Sequence, residues 1–176
     1  MKTVMTLAMC AGICLMAACG KQAERPSAAP SIATPRAFVA VEPAGKPTPI
    51  PEVRKTAKPG DEVLLKGRVM GVRDPFVEGR AVFVLGDNDS ITPCNEMGSE
   101  DHCPLPWDAC CDPIEARTAG TATIQLLGDG GNVLPHGLKG VGGLKELSSV
   151  TVSGVVAPMA TAEALMINAT AVYVAE

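Results

Sequence analysis

The sequence predicts a mainly β domain over residues 59–176, and three observations carry that expectation. Apolar and polar residues alternate with a period of two in several separate stretches, which is the signature of half-buried strands. Those stretches end in clusters of Gly, Asn and Asp, the residues that turn a chain. Between two of them lies an insertion of unusual composition, residues 87–120, which holds every cysteine beyond Cys19 and half of the domain's acids without any regular period.

Taken in order, Val63, Leu65 and Val69 alternate with Lys66, Arg68 and Met70 in a first strand, which Gly67 and Gly71 interrupt where a long strand could bend. Ala81-Val82-Phe83-Val84-Leu85 forms a second strand, closed by Gly86-Asp87-Asn88-Asp89. Ala122, Ile124 and Leu126 alternate with Thr121, Thr123 and Gln125 in a third, ended by Gly128-Asp129-Gly130-Gly131. Val150, Val152 and Val156 alternate with Thr151 and Ser153 in a fourth, and the fifth runs from Leu165 to Val174. Between the third and fourth, Leu138, Val141, Leu144 and Leu147 recur every three residues. That predicts a short helix, weakened by Gly137, Gly140, Gly142 and Gly143. The predicted core is Val63, Leu65, Val69, Val82, Val84, Ile124, Leu126, Val152, Val156 and Ile167.

Five strands, a glycine-bent first strand and a short helix between strands three and four resemble the OB-fold, a partly open five-stranded Greek-key barrel. The resemblance covers residues 60–176 outside the insertion and rests on the order of elements; a small sandwich is the alternative. It implies a barrel but no activity, because function does not follow from fold.

Ahead of the domain, Lys2 precedes an apolar run from Val4 to Ala18, too short to span a bilayer comfortably and typical of a secretory signal. The run ends Leu15-Met16-Ala17-Ala18-Cys19-Gly20, which resembles the lipobox of bacterial lipoproteins, with Met16 where leucine is usual. That resemblance implies cleavage after residue 18 and a lipidated, palmitate-bearing Cys19 as the mature N-terminus. Gly20 in place of Asp further implies export to an outer membrane, facing the periplasm. From Gly20 to Pro59 prolines recur among Ala, Ser, Thr and Lys with no apolar period, so residues 19–58 are expected to be a semi-extended tether.

The insertion gathers Cys94, Cys103, Cys110, Cys111, His102, Trp107 and eight acids, with no Lys or Arg before Arg117. Its length alone suggests cross-linking or function. In an exported protein the first expectation for four cysteines is two disulfides. A bond between the adjacent Cys110 and Cys111 would be strained, so each is expected to reach back to Cys94 or Cys103, with Trp107 as an apolar plug. The alternative is a zinc or copper site built from Cys94, His102, Cys103, Cys110 and Cys111. The spacing of these cysteines lacks the short pairs of common structural zinc sites. Asp87-Asn88-Asp89 begins like a calcium loop, but Ile91 and the missing glycine break the pattern, and a solvated turn explains it. No Cys-x-x-Cys pair supports a redox enzyme.

Composition narrows the function classes. Residues 1–58 carry eight Lys/Arg against three Asp/Glu, and the remainder seven against sixteen, within an overall net charge of −4. A domain so acidic repels phosphate, and aromatic residues make up only 3% of the chain, so nucleic acid is not an expected partner. His102 and His136 are the two histidines, neither sits in a nucleophile motif, and Gly128-Asp129-Gly130-Gly131 lacks the Lys-Ser/Thr of a phosphate loop. The expected protein is therefore not an enzyme. It is a membrane-anchored envelope module whose partners are the bilayer, through Cys19, and an envelope protein or polymer. The insertion and barrel are expected to be energetically separable, because no predicted core residue lies between Asn88 and Ala119.

Overall fold

The computed structural model describes residues 35–98 and 103–175. The strands β1 (Glu62–Arg68), β2 (Val82–Gly86), β3 (Thr121–Gln125), β4 (Ser149–Val156) and β5 (Met166–Val174) close into a barrel in the order β1-β2-β3-β5-β4. Every neighbour pair is antiparallel except β3 with β5. The protein is thus an all-β, OB-fold-like barrel with all five predicted strands in place.

Cross-strand neighbours share a face, so register shows how the core is assembled. Leu65 lies opposite Val152, and Val152 opposite Val172, along one arc of the wall. Phe83 lies opposite Ile124, and Ile124 opposite Ile167, along the other. All six point inward and are fully buried. β1 and β2 meet through the single pair Arg68 and Gly86. There a Cβ on Gly67 would stand 2.2 Å from the Gly86 carbonyl oxygen, so the bent corner admits only glycine.

The sequence-based expectations need four corrections. In β2 the inward residues are Phe83 and Leu85, not Val82 and Val84; Val82 is also buried but Val84 only half so. Every position of that strand is apolar or glycine, so alternation could not choose a face, and pairing with Ile124 chooses it instead. Val63 is half-buried and packs at the edge of the core. Met70, expected on the outer face, is fully buried because β1 ends at Arg68 and the chain then turns. The helix expected over Leu138–Leu147 shrinks to a 3₁₀ turn, Val141–Gly143, interrupted by the left-handed Gly142. Leu138, Val141 and Leu144 are still buried.

The larger correction concerns the tether, of which residues 35–58 are folded onto the barrel. Val39 donates its backbone N–H to the Val172 carbonyl at 3.0 Å, and Val172 donates to that of Ala37 at 2.7 Å. The helix α1 (Ile50–Thr56) follows and buries Ile50 and Val53 in the barrel core. Prolines exclude a helix interior but suit its first turn, where an unpaired N–H is missed least. The spacing of Ile50 and Val53, three residues apart, is the apolar face that proline density concealed. The signal segment, Cys19 and the rest of the expected tether lie outside the described residues. Among the described residues no helix is long and apolar enough to cross a membrane.

Candidate metal centre

The insertion leaves β2 at Gly86 and re-enters the barrel through α2 (Ile114–Ala119) and β3. Its start is pinned by Asp87, only 4% exposed, whose Oδ2 accepts the Ile50 N–H at 2.9 Å and so caps α1 from a distance. Oδ1 of the same carboxylate accepts the Asp89 N–H and the Ser90 hydroxyl. Both oxygens are committed to protein donors, which makes Asp87 a structural staple and not the opening ligand of a calcium loop.

Beyond it, two segments run side by side: Cys94 donates its N–H to the Asp108 carbonyl at 2.7 Å, and Asn95 to that of Pro106 at 3.1 Å. Asp112 accepts the Thr92 N–H at 2.8 Å, closing the loop from the other side. These bonds bring a 3₁₀ turn carrying Cys94 (Cys94–Glu96) against the turn carrying Cys110 and Cys111. Beneath them Met70, Ile91 and Ala109 form a second buried cluster, flanked by Trp107 and Leu147. Trp107, expected as a plug, packs here and also ties the loop to the barrel rim. Its indole donates to the Arg73 carbonyl at 2.9 Å, and its own carbonyl accepts the Gly71 N–H. Arg68 of β1 reaches the same loop, pairing with Glu96 at 2.5 Å and bonding Asn88 at 3.1 Å.

The four cysteine sulfurs converge on one point, all within 4.8 Å of one another. Cys103 stands 3.1 Å from Cys110 and 3.8 Å from Cys111, and Cys94 stands 3.5 Å from Cys110. Cys94 and Cys103 are half-buried, whereas Cys110 and Cys111 face solvent. Crowding splits their acidities. Burial raises the Cys94 pKa, and the neighbouring Cys110, Cys94 and Cys111 groups push that of Cys103 far up. Hydrogen bonds from Cys103 and then Cys94 favour the Cys110 thiolate and lower its pKa. One negative charge is therefore accommodated readily at the cluster, and further thiolates are opposed by it.

Of the candidate ligands, Cys94, Cys103, Cys110 and Cys111 are brought together, while His102 lies outside the described residues. The described acids of the insertion are partly occupied elsewhere. Asp112 and Asp87 hold backbone donors, Glu96 holds Arg68, and Asp108 accepts the Ala109 N–H. What sequence reading missed is the apolar floor of Met70, Ile91, Ala109 and Leu147. Only Ile91, apolar among polar neighbours, could have hinted at it. Leu147 itself is held at a φ of 63°, a conformation unfavourable for a side chain with a Cβ. No protein-family model, curated protein or solved structure matches the chain.

Proposed function

We propose that the protein is a lipid-anchored, non-catalytic module of the cell envelope whose barrel carries a thiolate centre for one soft cation, zinc foremost and copper second. The observation that carries this reading is the convergence of four sulfurs within 4.8 Å of one another. A tetrahedral zinc with bonds of about 2.3 Å has sulfur–sulfur edges of about 3.8 Å. The contacts of 3.5 and 3.8 Å lie close to that edge, and the 3.1 Å contact would have to open toward it. Burial holds the Cys94 proton and hydrogen bonds with the neighbouring thiols hold that of Cys103; a central dication would offset both by stabilising the thiolates. An all-sulfur tetrahedral set suits zinc better than the oxygen-seeking calcium or magnesium.

A disulfide framework is the second reading, favoured by the contacts between Cys94 and Cys110 and between Cys103 and Cys111. One experiment separates the two. The purified protein, prepared anaerobically and analysed for metal by mass spectrometry, is expected to hold one zinc per chain with four thiols reactive after denaturation and chelation. Cobalt put in place of zinc is expected to give intense sulfur-to-metal absorption in the near ultraviolet. Zero reactive thiols and no metal would establish the disulfide framework instead. For the anchor, labelled palmitate is expected to enter the wild type and not the Cys19→Ala variant; equal labelling of both would overturn the assignment.

A further inference from the structure

The same four sulfur atoms cannot hold a cation and be joined to one another, so the oxidation state of the cluster must decide its occupancy. We propose that the centre is a redox switch: oxidation joins Cys94 to Cys110 and Cys103 to Cys111 and expels the cation. The inference rests on the metal reading above and adds its regulation.

The contacts select the pairing. Cys110 and Cys111 are adjacent in the chain, and a bond between them would close a strained ring. That removes the arrangement joining Cys94 to Cys103. The non-adjacent sulfur in contact with Cys111 is that of Cys103, at 3.8 Å. Cys103 committed to Cys111 leaves Cys94 and Cys110, which already stand 3.5 Å apart. Both pairs close to a bond length of about 2.05 Å through side-chain rotation and small loop shifts. Exposure sets the direction of approach. Cys110 and Cys111 face solvent, so an oxidant reaches one member of each pair, while Cys94 and Cys103 wait half-buried behind them.

The chemistry balances with a disulfide of the general form RSSR as oxidant, whether glutathione disulfide or a dithiol oxidoreductase. The exposed cysteine attacks one sulfur of RSSR and forms a mixed disulfide, releasing RS⁻. Its half-buried partner then attacks the protein sulfur of that mixed disulfide, forming the internal bond and releasing the second RS⁻. Each internal disulfide thus consumes one RSSR and yields two RS⁻. Two such events convert four thiolates to two disulfides and leave the cation without ligands. Reduction by a dithiol reverses both steps and restores the site.

The test uses reduced protein loaded with zinc and titrated anaerobically with glutathione disulfide. Released zinc is followed with a chromophoric chelator, and the bonds are located by peptide fragmentation between Cys110 and Cys111. We expect complete zinc release as two internal disulfides form, bonds from Cys94 to Cys110 and from Cys103 to Cys111, and full rebinding after reduction by a dithiol. Circular dichroism is recorded alongside, so that loss of metal through unfolding is recognised and counts against the switch. Zinc that stays bound while RSSR is in excess, or release with a different pairing, would overturn the switch and leave the metal reading standing. Reduced protein that takes up neither zinc nor cobalt would overturn the metal reading itself, and the switch with it.

Discussion

The barrel and the cysteine insertion are held by different physics. Eighteen buried apolar residues, Phe83, Leu65, Ile124 and Ile167 among them, form the barrel core, whereas three, Met70, Ile91 and Ala109, are buried under the cysteines. Burying an aliphatic side chain contributes roughly 1.5 to 3 kcal/mol, so three contribute less than about 10. Ordering the backbone of residues 88–98 and 103–119 opposes this with at least about 1 kcal/mol per residue. Backbone bonds such as Cys94 to Asp108 recover a part, about 1 kcal/mol each. The lesson is that the barrel rests on a large buried core, while the insertion carries little apolar burial of its own. On the reading proposed above, a structural zinc, worth roughly 10 to 16 kcal/mol, would supply a cross-link there.

Four predictions break or sharpen this contrast. The largest effect should follow Phe83→Ala, which empties the centre of the barrel. A loss of about 3 to 5 kcal/mol is expected in denaturant unfolding, by the usual cost of aromatic truncation. A change under 1 kcal/mol would mean that burial is not what holds the barrel.

Next comes replacement of Asn88–Ala119 by a short Gly/Asn turn. The barrel core contains none of these residues, so cooperative unfolding and β-rich circular dichroism should persist. The expectation of full separability is nonetheless too strong, because Met70 loses its cover. A cost of about 2 to 3 kcal/mol is expected from that exposure. Collapse of the transition would show the insertion to be part of the main core.

A smaller effect on the barrel is expected from Cys110→Ser. Unfolding of the metal-free barrel should shift by less than about 0.5 kcal/mol, as for an exposed site. Zinc affinity, by competition with a chelator, should fall on the order of 100-fold or more, since even an outer-shell partner can be worth that much. Hydrogen exchange of the metal-free insertion should quicken at the Cys94 amide while Val152 stays protected.

The smallest effect concerns pH in the reduced, metal-free protein. Cys94 and Cys103 have folded pKa values above the ordinary thiol value, so the folded chain keeps protons that the unfolded chain releases. Their stabilising contribution is present below about pH 8.5 and is lost as pH rises beyond it. Cys110, with its pKa lowered, acts oppositely: its contribution is lost as pH falls below the ordinary thiol range. Stability should therefore decline on the alkaline side in the wild type and decline less in a Cys94→Ser/Cys103→Ser variant. An identical alkaline slope in both would refute the coupling.

The strands, their order and the glycine-bent corner were legible in the sequence, because period-two alternation and turn chemistry are local properties. The cysteine residues were legible as a group for the same reason: composition marked the insertion without any knowledge of its shape. Four features belonged to tertiary structure alone. The inward face of β2 was assigned to Val82 and Val84, wrongly, because every residue there is apolar or glycine; pairing Phe83 with Ile124 decides it instead. The fold of residues 35–58 was hidden because α1 is capped by a carboxylate thirty-seven positions away, Asp87, and buries its face on a barrel built later in the chain. The apolar floor joins Met70, Ile91 and Ala109 from three segments that no sequence window contains together. The convergence of Cys94, Cys103, Cys110 and Cys111 is of the same kind. Sequence spacing argued against a metal centre because it measures separation along the chain, and coordination depends on separation in space. Backbone bonds between residues 94–95 and 106–108 fold one onto the other.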